Sequence, residues 1–506
     1  MKNQFTILPG EYWWGGSVNQ GHQMPFHEKS VCEFDPLFSK QSDQFAPFFV
    51  SSKGRYIWSE KPFALKAEAG VITCEGHDEI LLKDGFDSLR GAYLAACQAH
   101  FPFTRSLPDK RFFIQPQYNT WIELGTDQTA DNILHYAKGI LAHGLPAGIL
   151  MIDEGWQQEY GTFEFNKTKI PDPAKLIYEL HQMGFSVMLW VTPNVACAGT
   201  QYCKLRDKNF LIRDKNGDIA IREWWTGFSA VLDLSNPDAK KWYHEELKRL
   251  QTCYGVDGFK FDAADAYFYR DDDQTYLPLL AREQTAVFNA VGAEYPFNEF
   301  RAAWKYGGQP IVARLQDKNH SWNNFGLNTL ISHTLMQGLL GYAYCCPDMV
   351  GGGEISSFAS GKKMDEELFV RWAQANALMG MMQMSLSPWR VLNEENTDRV
   401  IAALKLHAAM GEEIYALAQN ASVTGEPIVR SMAYVFPNAG FETITDQFML
   451  GEKHLVAPVI TPKATERTVA LPEGSWLGWN QRKYKGGQTI SVPVTMDDLP
   501  YFRSTD

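Results

Sequence analysis

The chain is 506 residues long, with 45% hydrophobic and 21% charged residues and a formal net charge of −12. Its length exceeds what one hydrophobic core usually serves, so we expect two or three domains. The composition excludes a largely disordered protein, and the negative charge argues against a nucleic-acid partner.

Residues 1–105 show short alternating segments broken by glycine, proline and aspartate, which is typical of antiparallel strands. The pattern occurs in FFVSSKGRYIWS, FALKAEAGVITCEG and DEILLKD, and hairpin turns are expected at Lys53-Gly54 and Ala69-Gly70. Residues 89–101 carry a helical pattern that leads out of this region. The segment predicts an N-terminal β-sandwich-like domain.

In residues 106–430, short apolar runs alternate with longer helical patterns. Strands that are apolar on both faces and separated by helices indicate a parallel sheet. Eight such runs fit a (β/α)8 TIM barrel, whereas a doubly wound sheet would need a glycine-rich phosphate loop that the sequence lacks. The eight candidate strands lie in FFIQPQYNTW, AGILMIDEGW, FSVMLWVTP, VDGFKFDAAD, PFNEFRAAW, PIVARLQD, GYAYCCPD and LMGMMQMSLSP.

The β pattern returns in residues 431–506, where proline and glycine punctuate it. Strands are expected in SMAYVFP, KHLVAPVIT, RTVALPEGSWLGW and QTISVPV. This segment predicts a C-terminal β domain. The predicted fold class is therefore an α/β TIM barrel flanked by an N-terminal antiparallel β domain and a C-terminal β domain.

The eight cysteines form no CxxC pair and no zinc spacing, which favours free thiols in a reducing compartment. The stretch MKNQFTILPGEYWWGG resembles no signal peptide, and no run is long and apolar enough to span a membrane. We therefore expect a cytoplasmic protein without a membrane partner, or a periplasmic or secreted one if a leader precedes this sequence. The sequence predicts no oligomeric state.

Several predicted strands end in carboxylates, and the carboxyl ends of barrel strands surround the active site. A single aspartate there is usually a helix cap. Carboxylates at four of the eight ends favour chemistry, because crowded negative charges repel one another and folding gains nothing from them. These acids are Asp153 and Glu154 on the second strand, Asp262 and Asp265 on the fourth, Asp317 on the sixth and Asp348 on the seventh, with Glu299 and Arg301 on the fifth.

Two kinds of chemistry use such a ring of carboxylates. Divalent-metal catalysis needs several of them as ligands, whereas glycoside hydrolysis needs one as a nucleophile and one as a proton donor. No histidine lies at these strand ends, while 15 tryptophans and 21 tyrosines provide rings for stacking on sugars. The pattern favours sugar chemistry, with a large aromatic core as the alternative use of the rings.

The motifs GVDGFKFDAAD, LQDKNHSW, FGLNTLISHTLMQGLLGY and PDMVGGG, in this order, resemble the α-glycosidases of glycoside hydrolase family 31. DLSNPDAKKWY and QFMLGEKHLVAPVI extend the similarity over most of the chain. The opening YWWGG, the Tyr-Asn-Thr-Trp of the first strand and MQMSLSPW of the eighth look most like the α-galactosidase-like and myogenesis-regulating glycosidase members. The resemblance implies a retaining, exo-acting α-glycosidase of the α-galactosidase type, which acts on an oligosaccharide or glycoside without a metal or organic cofactor.

The resemblance also assigns roles to single residues. Asp262 matches the catalytic nucleophile of the family, and Asp317 matches its general acid/base. Arg301 and Asp153 match sugar-binding residues. Asp348 matches a family aspartate that either contacts substrate or has a structural role.

Two further predictions come from the residues themselves. Lys260 precedes Asp262 by two positions, so both side chains point to one face of the strand, where the lysine holds the aspartate charged and binds a sugar hydroxyl. The alternative for Lys260 is an ion pair with Asp265 or Glu299. The candidate walls of a sugar site are Trp121, Trp156, Trp225 and Trp389, for each of which packing in the core is the alternative.

Two departures from the family pattern argue against a plain α-glucosidase. Near the eighth strand, Gln383, Trp389 and Arg390 occur where many α-glucosidases carry a substrate-binding histidine. Gln316 replaces the usual glycine before the acid/base. The alternatives are an α-glucosidase, α-xylosidase or sulfoquinovosidase of the same family, a transglycosylase that uses the same residues, and a carbohydrate-binding protein without turnover.

Overall fold

The computed structural model of the protein describes residues 1–35, 43–359 and 363–506. At its centre eight parallel strands form one sheet, which confirms the predicted barrel. The strands are β1 (Gln117–Asn119), β2 (Ile149–Ile152), β3 (Ser186–Val191), β4 (Gly258–Phe261), β5 (Asn298–Phe300), β6 (Ala313–Arg314), β7 (Cys345–Cys346) and β8 (Gln383–Met384).

The sheet runs in the order β7-β6-β5-β4-β3-β2-β1-β8 and curls into a nearly closed barrel. β1 is hydrogen-bonded to both β2 and β8, so the first and last strands lie side by side. At the seam between β7 and β8, the backbone N–H of Val350 donates to the carbonyl of Gln383 at 2.9 Å. Because all the strands are parallel, their carboxyl ends lie at one end of the barrel.

Helices cover the outside of the barrel, which explains why its strands are apolar on both faces. Every residue of β2 and β3 is buried. The long helices of the barrel are Ala130–Ala142, Pro173–Gln182, Pro237–Tyr254, Ala281–Gly292, Leu330–Leu339, Glu366–Ala377 and Glu394–Thr424. Shorter helical turns are Arg111–Ile114, Trp121–Leu124, Ala266–Phe268, Leu327–Thr329, Ile355–Phe358 and Pro388–Val391.

The connection from β5 to β6 differs from the other crossovers. Residues 301–312, all of them described, form no helix, and Ala303–Trp304 forms a short strand instead. This strand pairs in parallel with Gln44 and Phe45, at the start of the N-terminal strand Gln44–Ser51. The N-terminal region is thereby joined to the barrel beside the carboxyl end of β5.

The N-terminal region consists of two antiparallel sheets, as the sequence predicts. The hairpin turn at Ala69-Gly70 has φ angles of 51° and 75°, the left-handed conformation of a two-residue turn. The predicted helix is present as Leu89–His100, and a short 3-10 helix covers Val18–Gln23. The first sheet contains Lys2–Thr6, Val71–Gly76, Phe63–Glu68 and Cys32–Phe34, and the second contains Phe26–His27, Tyr12–Ser17, Gln44–Ser51, Tyr56–Ser59 and Ile80–Lys83.

A small antiparallel sheet, which the sequence analysis did not predict, is inserted after β3. Its strands are Asn194–Ala196, Ile221–Trp224 and Gly227–Val231, and helix Thr200–Asp207 follows the first of them. The second and third strands form a hairpin whose turn, at Trp225-Thr226, lies at the carboxyl end of the barrel. We call this element the inserted hairpin.

The C-terminal region forms a six-stranded and a two-stranded antiparallel sheet, which confirms the predicted β domain. The strand predicted in SMAYVFP is wrong, because Met432–Val435 is a helical turn capped by Ser431, whose hydroxyl accepts from the N–H of Tyr434 at 3.3 Å. The domain boundaries at 105 and 430 stay predictions. The strands are Val429–Arg430, Phe448–Leu450, His454–Val456, Tyr501–Ser504, Ser475–Gly478 and Lys483–Lys485 in the larger sheet, and Glu466–Leu471 and Gln488–Pro493 in the smaller.

All eight cysteines are free thiols, as the sequence predicts. Two of them, Cys345 and Cys346, are buried in β7, where burial raises the pKa of Cys345 to about 12 and keeps its thiol protonated. Within the described part of the chain, no helix is long and apolar enough to cross a membrane.

Candidate active site

Asp262 lies at the carboxyl end of β4, where three hydrogen-bond donors surround its carboxylate. Its Oδ2 accepts from the indole Nε1 of Trp190 at 3.0 Å. Its Oδ1 accepts from the Nε of Arg301 at 3.2 Å and from the N–H of Ala263 at 2.8 Å. Ala263 has a φ of 59°, so the chain turns sharply where this contact forms.

The charges around Asp262 keep its carboxylate ionised. Burial alone raises the pKa of a carboxyl group, but the cations of Arg301, Lys260 and Arg314 lower the pKa of Asp262 far below its ordinary value. The side chain is 8% exposed, and the Nζ of Lys260 lies 3.7 Å from its Oδ2. A buried carboxylate that stays charged is suited to act as a nucleophile.

Lys260 forms its shortest contact with Asp153, at the end of the neighbouring β2. Its Nζ donates to the Oδ2 of Asp153 at 2.7 Å, so its partner is Asp153 rather than Asp265 or Glu299 as the alternative prediction had it. Burial lowers the pKa of a lysine, but the carboxylates of Asp153 and Asp262 outweigh burial and raise the pKa of Lys260. The ammonium group therefore stays charged between two acids.

Arg301, directly after β5, joins Asp262 to a second aspartate. Its Nη2 donates to the Oδ2 of Asp265 at 2.5 Å, while its Nε contacts Asp262. Its guanidinium lies 5.2 Å from the ring centre of Trp225 on the inserted hairpin, a cation–π contact. Burial raises the pKa of Asp265 to about 7, although Arg301 opposes this. The hydrogen bond to Asp265 thus fixes the orientation of the Arg301 guanidinium.

Asp317 lies beyond β6 and is the more open of the two candidate catalytic carboxylates, with its side chain 34% exposed. The Nη1 of Arg314 donates to the Oδ1 of Asp317 at 2.8 Å and to the Oδ1 of Asp348 at 3.2 Å. The Nε of Arg314 donates to Glu299 at 3.2 Å. One buried guanidinium therefore connects the acids of β5, β6 and β7.

Asp348 is fully buried and supports the loops around Asp317. Its Oδ1 accepts from the N–H of Met349 at 2.8 Å, and its Oδ2 accepts from the N–H groups of Lys318 at 2.7 Å and Gly353 at 2.8 Å. Burial and the charge of Asp317 raise the pKa of Asp348 to about 7, which Arg314 opposes. These contacts favour a structural role over substrate contact.

The glycines after Asp348 let the chain pass close to Asp317. A Cβ added at Gly353 would lie 2.6 Å from the Oδ1 of Asp317 and 2.7 Å from the Oδ1 of Asp348, which no side chain could tolerate without a shift. The carbonyl of Gly353 accepts from the Nε1 of Trp121 at 3.1 Å. The turn therefore holds the ring of Trp121 beside the acids.

These groups meet in one cavity of about 520 Å³ at the carboxyl end of the barrel, a volume typical of small-molecule sites. We call it the strand-end cavity. Seven of the predicted site residues line it, namely Trp121, Asp153, Trp225, Lys260, Asp262, Arg301 and Asp317. The other lining residues are Thr126, Glu154, Trp190, Thr226, Tyr267, Gln316, Gly353, Glu354 and Ile355.

Three predicted site residues lie outside the cavity. Asp348 lies beneath it, as described above. Trp156 is fully buried, and its Nε1 donates to the carbonyl of Trp190 at 2.8 Å. Trp389 stacks on His143 with ring centres 4.1 Å apart, on the helical layer around the barrel. For both tryptophans the structure agrees with the packing alternative.

Sequence reasoning missed Trp190, which contacts Asp262 directly. Trp190 pairs in register with Lys260 across β3 and β4, and this shared register places both side chains on the inner face. No pattern in FSVMLWVTP marks this contact, because the stretch is apolar and the strand is buried on both faces. Glu154 was noticed only as an acid at a strand end, and it accepts a hydrogen bond from the hydroxyl of Tyr160, while burial raises its pKa.

Among the described residues, no group of three or more His, Cys, Asp and Glu side chains is arranged to hold a metal ion. In the strand-end cavity, Lys260 pairs with Asp153 and Arg301 pairs with Asp262, so these two carboxylates already have cationic partners. The side chains that line the cavity offer both hydrogen-bond donors and hydrogen-bond acceptors, as the recognition of sugar hydroxyl groups requires.

Comparison with known sequences decides the family. A model of the glycosyl hydrolases family 31 TIM-barrel domain matches residues 116–417, more than half of the chain. This protein belongs to glycoside hydrolase family 31. A model of the C-terminal domain of the same family matches residues 425–505.

Curated relatives of this family 31 protein are longer than the chain itself. It is 33% identical to the myogenesis-regulating glycosidase of Mus musculus over 410 residues, which cover 78% of this chain and 56% of the relative. It is 25% identical to the alpha-xylosidase XylQ of Lactiplantibacillus pentosus over 468 residues, which cover 87% of this chain and 59% of the relative. The chain thus spans somewhat more than half the length of these relatives.

Solved structures share the fold of the family 31 protein. A GH31 dextranase of Flavobacterium johnsoniae complexed with glucose has a TM-score of 0.87 at 20% identity, over 99% of this chain and 66% of that chain. A GH31 alpha-xylosidase from a soil metagenome complexed with xylose has a TM-score of 0.85 at 22% identity, over 100% of this chain and 79% of that chain. At these identities the likeness establishes the fold alone.

Proposed function

We propose that this protein is a retaining, exo-acting α-glycoside hydrolase of the α-galactosidase type, with Asp262 as nucleophile and Asp317 as general acid/base. The observation that carries the proposal is the different setting of these two carboxylates in one cavity. Asp262 is buried among cations, and Asp317 is partly exposed beyond β6. Retaining glycosidases combine a carboxylate that is ionised before it attacks the sugar with one that exchanges protons.

In the first step, the ionised Asp262 attacks the anomeric carbon while Asp317 gives its proton to the glycosidic oxygen. The bond to the leaving group breaks, and the sugar stays joined to Asp262 through an ester. The N–H groups of Trp190 and Ala263 hold the attacking carboxylate in a fixed orientation. A fixed orientation lowers the entropic cost of reaching the transition state.

In the second step, Asp317 has become a carboxylate and takes a proton from water, whose oxygen displaces Asp262 from the sugar. Arg314, 2.8 Å from the Oδ1 of Asp317, stabilises its charged form between the two steps. Two inversions at the anomeric carbon give net retention. A sugar hydroxyl in place of water would give transglycosylation with the same groups.

The inner end of the strand-end cavity supports the proposed exo action. Asp153 and Lys260 are both almost fully buried there and form a charged pair at 2.7 Å. Both line the cavity beside the nucleophile, where they would bind hydroxyls of the terminal sugar of a saccharide. A hydrogen bond between a charged side chain and a sugar hydroxyl is stronger than one between two neutral groups.

The eighth strand supports a sugar other than glucose. Gln383 turns into the barrel, where its Nε2 donates to Glu299 at 2.7 Å, and Arg390 pairs with Glu123 at 2.8 Å. Among the described residues that line the cavity, none comes from β8 or the turn after it. A hydroxyl that a histidine binds in many α-glucosidases therefore lacks a partner from this strand, which favours galactose-type recognition.

The charge of the cavity disfavours a sulfoquinovoside. The cavity is lined by two cationic side chains, Lys260 and Arg301, and both pair with aspartates. An anionic sulfonate would therefore enter a field that is negative in sum. The lining acids are Asp153, Glu154, Asp262, Asp317 and Glu354.

The test is a panel of p-nitrophenyl glycosides, comprising the α-galactoside, α-N-acetylgalactosaminide, α-glucoside, α-xyloside and α-sulfoquinovoside. We expect nitrophenol release from the α-galactoside, and loss of about a thousandfold or more in Asp262→Ala, because no other group forms the ester. Asp398→Ala, at an exposed position on helix Glu394–Thr424, is the matched control and should retain full activity.

The panel separates the alternatives. Release from the α-glucoside or α-xyloside alone would replace the proposed sugar and keep the mechanism. Activity that survives Asp262→Ala would refute the assigned nucleophile. Binding of a sugar without release of nitrophenol from any glycoside would support the carbohydrate-binding alternative.

A further inference from the structure

The N-terminal residue Gln44 reaches the carboxyl ends of two barrel strands. It is fully buried, and its Nε2 donates to the backbone carbonyls of Arg301 and Arg314, to the latter at 2.9 Å. Its Oε1 accepts from the Nε2 of Gln337 at 2.9 Å, and that nitrogen also donates to the carbonyl of Ala313 at 2.9 Å. One side-chain amide thus joins the backbone after β5 to the backbone of β6.

Asp43, the residue before Gln44, contacts the loop that follows β6. It is fully buried, and its Oδ1 accepts from the N–H of Gln316 at 2.9 Å. Gln316 immediately precedes Asp317. On the other side, the Nζ of the buried Lys318 donates to the hydroxyl oxygen of Thr329 at 3.0 Å. The chain is therefore anchored on both sides of Asp317.

The two arginines held by Gln44 are the cations of the two candidate catalytic carboxylates. Arg301 contacts Asp262 at 3.2 Å, and Arg314 contacts Asp317 at 2.8 Å. Because both backbone carbonyls meet at one amide, the position of Gln44 sets the separation of the arginines and hence of the carboxylates. A misplacement of about 1 Å between reacting groups costs roughly a hundredfold in rate.

From this geometry we propose that Asp43 and Gln44 are positioning residues that hold Asp262 and Asp317 at their working separation, so that the N-terminal region is part of the catalytic site. The inference rests on the proposed glycosidase function. The strand pairing of Gln44 and Phe45 with Ala303–Trp304 fixes how the segment approaches the barrel. Asp317 depends on Asp43 most directly, because that contact lies one residue away.

The test compares two glycosides of the sugar on which the wild-type protein is active, a dinitrophenyl glycoside and a methyl glycoside. Dinitrophenolate leaves without a proton, whereas methanol needs one from Asp317. In Asp43→Ala, kcat/KM for the methyl glycoside should fall about a hundredfold, and kcat/KM for the dinitrophenyl glycoside by less than about fivefold. Asp43→Asn keeps an oxygen for the Gln316 N–H and should recover most of the loss.

Lys61→Ala is the matched control, because it removes a different contact between the N-terminal region and the barrel, the ion pair with Glu283. It should leave both rates unchanged. Equal losses on the two glycosides in Asp43→Ala would mean a general loss of folded protein and would overturn the proposal. An Asp43→Asn variant as impaired as Asp43→Ala would overturn it as well.

Hydrogen–deuterium exchange tests the same proposal without turnover. In Gln44→Ala and Asp43→Ala, amides of residues 313–318 should exchange faster, while those of β2 and β3 keep their wild-type rates. Exchange that is unchanged in 313–318, or faster throughout the barrel, would contradict the positioning role. If the wild-type protein cleaves no glycoside, the proposed function fails, and the exchange result alone decides this inference.

Discussion

Trp190 and Arg301 hold the charge of Asp262 through contacts that single substitutions can remove. Both donate to the carboxylate, at 3.0 Å and 3.2 Å, in a setting from which water is largely excluded. A hydrogen bond to a buried charge contributes about 1.5–3 kcal/mol, more than one between neutral groups. The acidity of Asp262 therefore depends on residues from β3 and from the loop after β5.

Trp190→Phe tests this dependence, because it keeps an aromatic side chain at this position and removes the N–H donor. As the proposed nucleophile, Asp262 would act in its ionised form, so its lowered pKa predicts that activity is lost only as the pH falls through that pKa. Without the donor, the acidic limb of kcat/KM should move to higher pH, and kcat should fall about tenfold or more. The measurement is the pH profile of kcat/KM on the preferred nitrophenyl glycoside.

The control for that measurement is Trp389→Phe, which makes the same exchange on the helical layer outside the cavity. It should reproduce the wild-type profile. A Trp190→Phe profile with an unmoved acidic limb would show that the indole N–H does not set the ionisation of Asp262.

The ionisation of Asp43 gives a prediction about the stability of the protein. Burial raises the pKa of Asp43 to about 6, while Lys318 opposes this. In the unfolded chain an aspartate ionises near pH 4, so between about pH 4 and 6 the native state binds the proton more tightly. The contribution of Asp43 to stability is therefore fully present below pH 4 and is lost as the pH rises to about 6.

Asp43→Asn removes this titration. The free energy of unfolding of the wild type should fall relative to Asp43→Asn by up to about 1.4 kcal/mol per pH unit between pH 4 and 6, and by no more above it. Urea unfolding of both proteins at half-unit pH intervals measures the difference. Parallel stability curves would refute a raised pKa for Asp43.

The inserted hairpin is the element that completes the mouth of the cavity. Arg222 on its first strand forms an ion pair with the largely buried Asp273, which ties the hairpin to the loop after β4. Its turn carries Trp225, 47% exposed and in contact with Arg301, whereas Phe228 on the returning strand is 66% exposed and lies outside the cavity. Both rings are exposed to solvent, but the ring of Trp225 lines the cavity and that of Phe228 does not.

Trp225→Ala should raise KM about tenfold with a smaller effect on kcat, since stacking of an aromatic ring on a sugar or aglycone acts mainly on binding. Phe228→Ala makes a similar truncation on the same hairpin and should leave both constants unchanged. Steady-state kinetics on the preferred glycoside compare them. Equal effects of the two substitutions would assign the role to the hairpin's stability instead of to the ring of Trp225.

The strand ends were readable from the sequence, because buried parallel strands show as apolar runs and the acids follow them directly. The face of the sheet to which a side chain points could be predicted only for residues within a strand, as for Lys260. Beyond the end of a strand, side chains no longer alternate between two faces. Trp156 follows Gly155, whose φ of 99° turns the chain. Trp389 lies in the helical turn Pro388–Val391, and its ring lies against Gly139.

At the scale of the whole molecule, the N-terminal region and the barrel share one continuous hydrophobic core that includes Trp13, Phe48, Phe101 and Tyr344. The contacts that join them through Gln44 connect residues 257 and 270 positions apart. No local pattern marks such partners, so sequence reasoning predicted two neighbouring domains and missed that one reaches into the other. We therefore expect activity only when the N-terminal region and the barrel are present together.

The configuration of the first product tests whether Asp262 and Asp317 act by double displacement. Proton NMR of the wild-type reaction on an α-galactoside should show the α-anomer of the released sugar first, with the β-anomer growing later by mutarotation. A β-anomer that appears first would mean a single inversion by water. The two carboxylates would then have to stand about 6.5–9.5 Å apart instead of about 5–5.5 Å, and Asp262 would be a base and not a nucleophile.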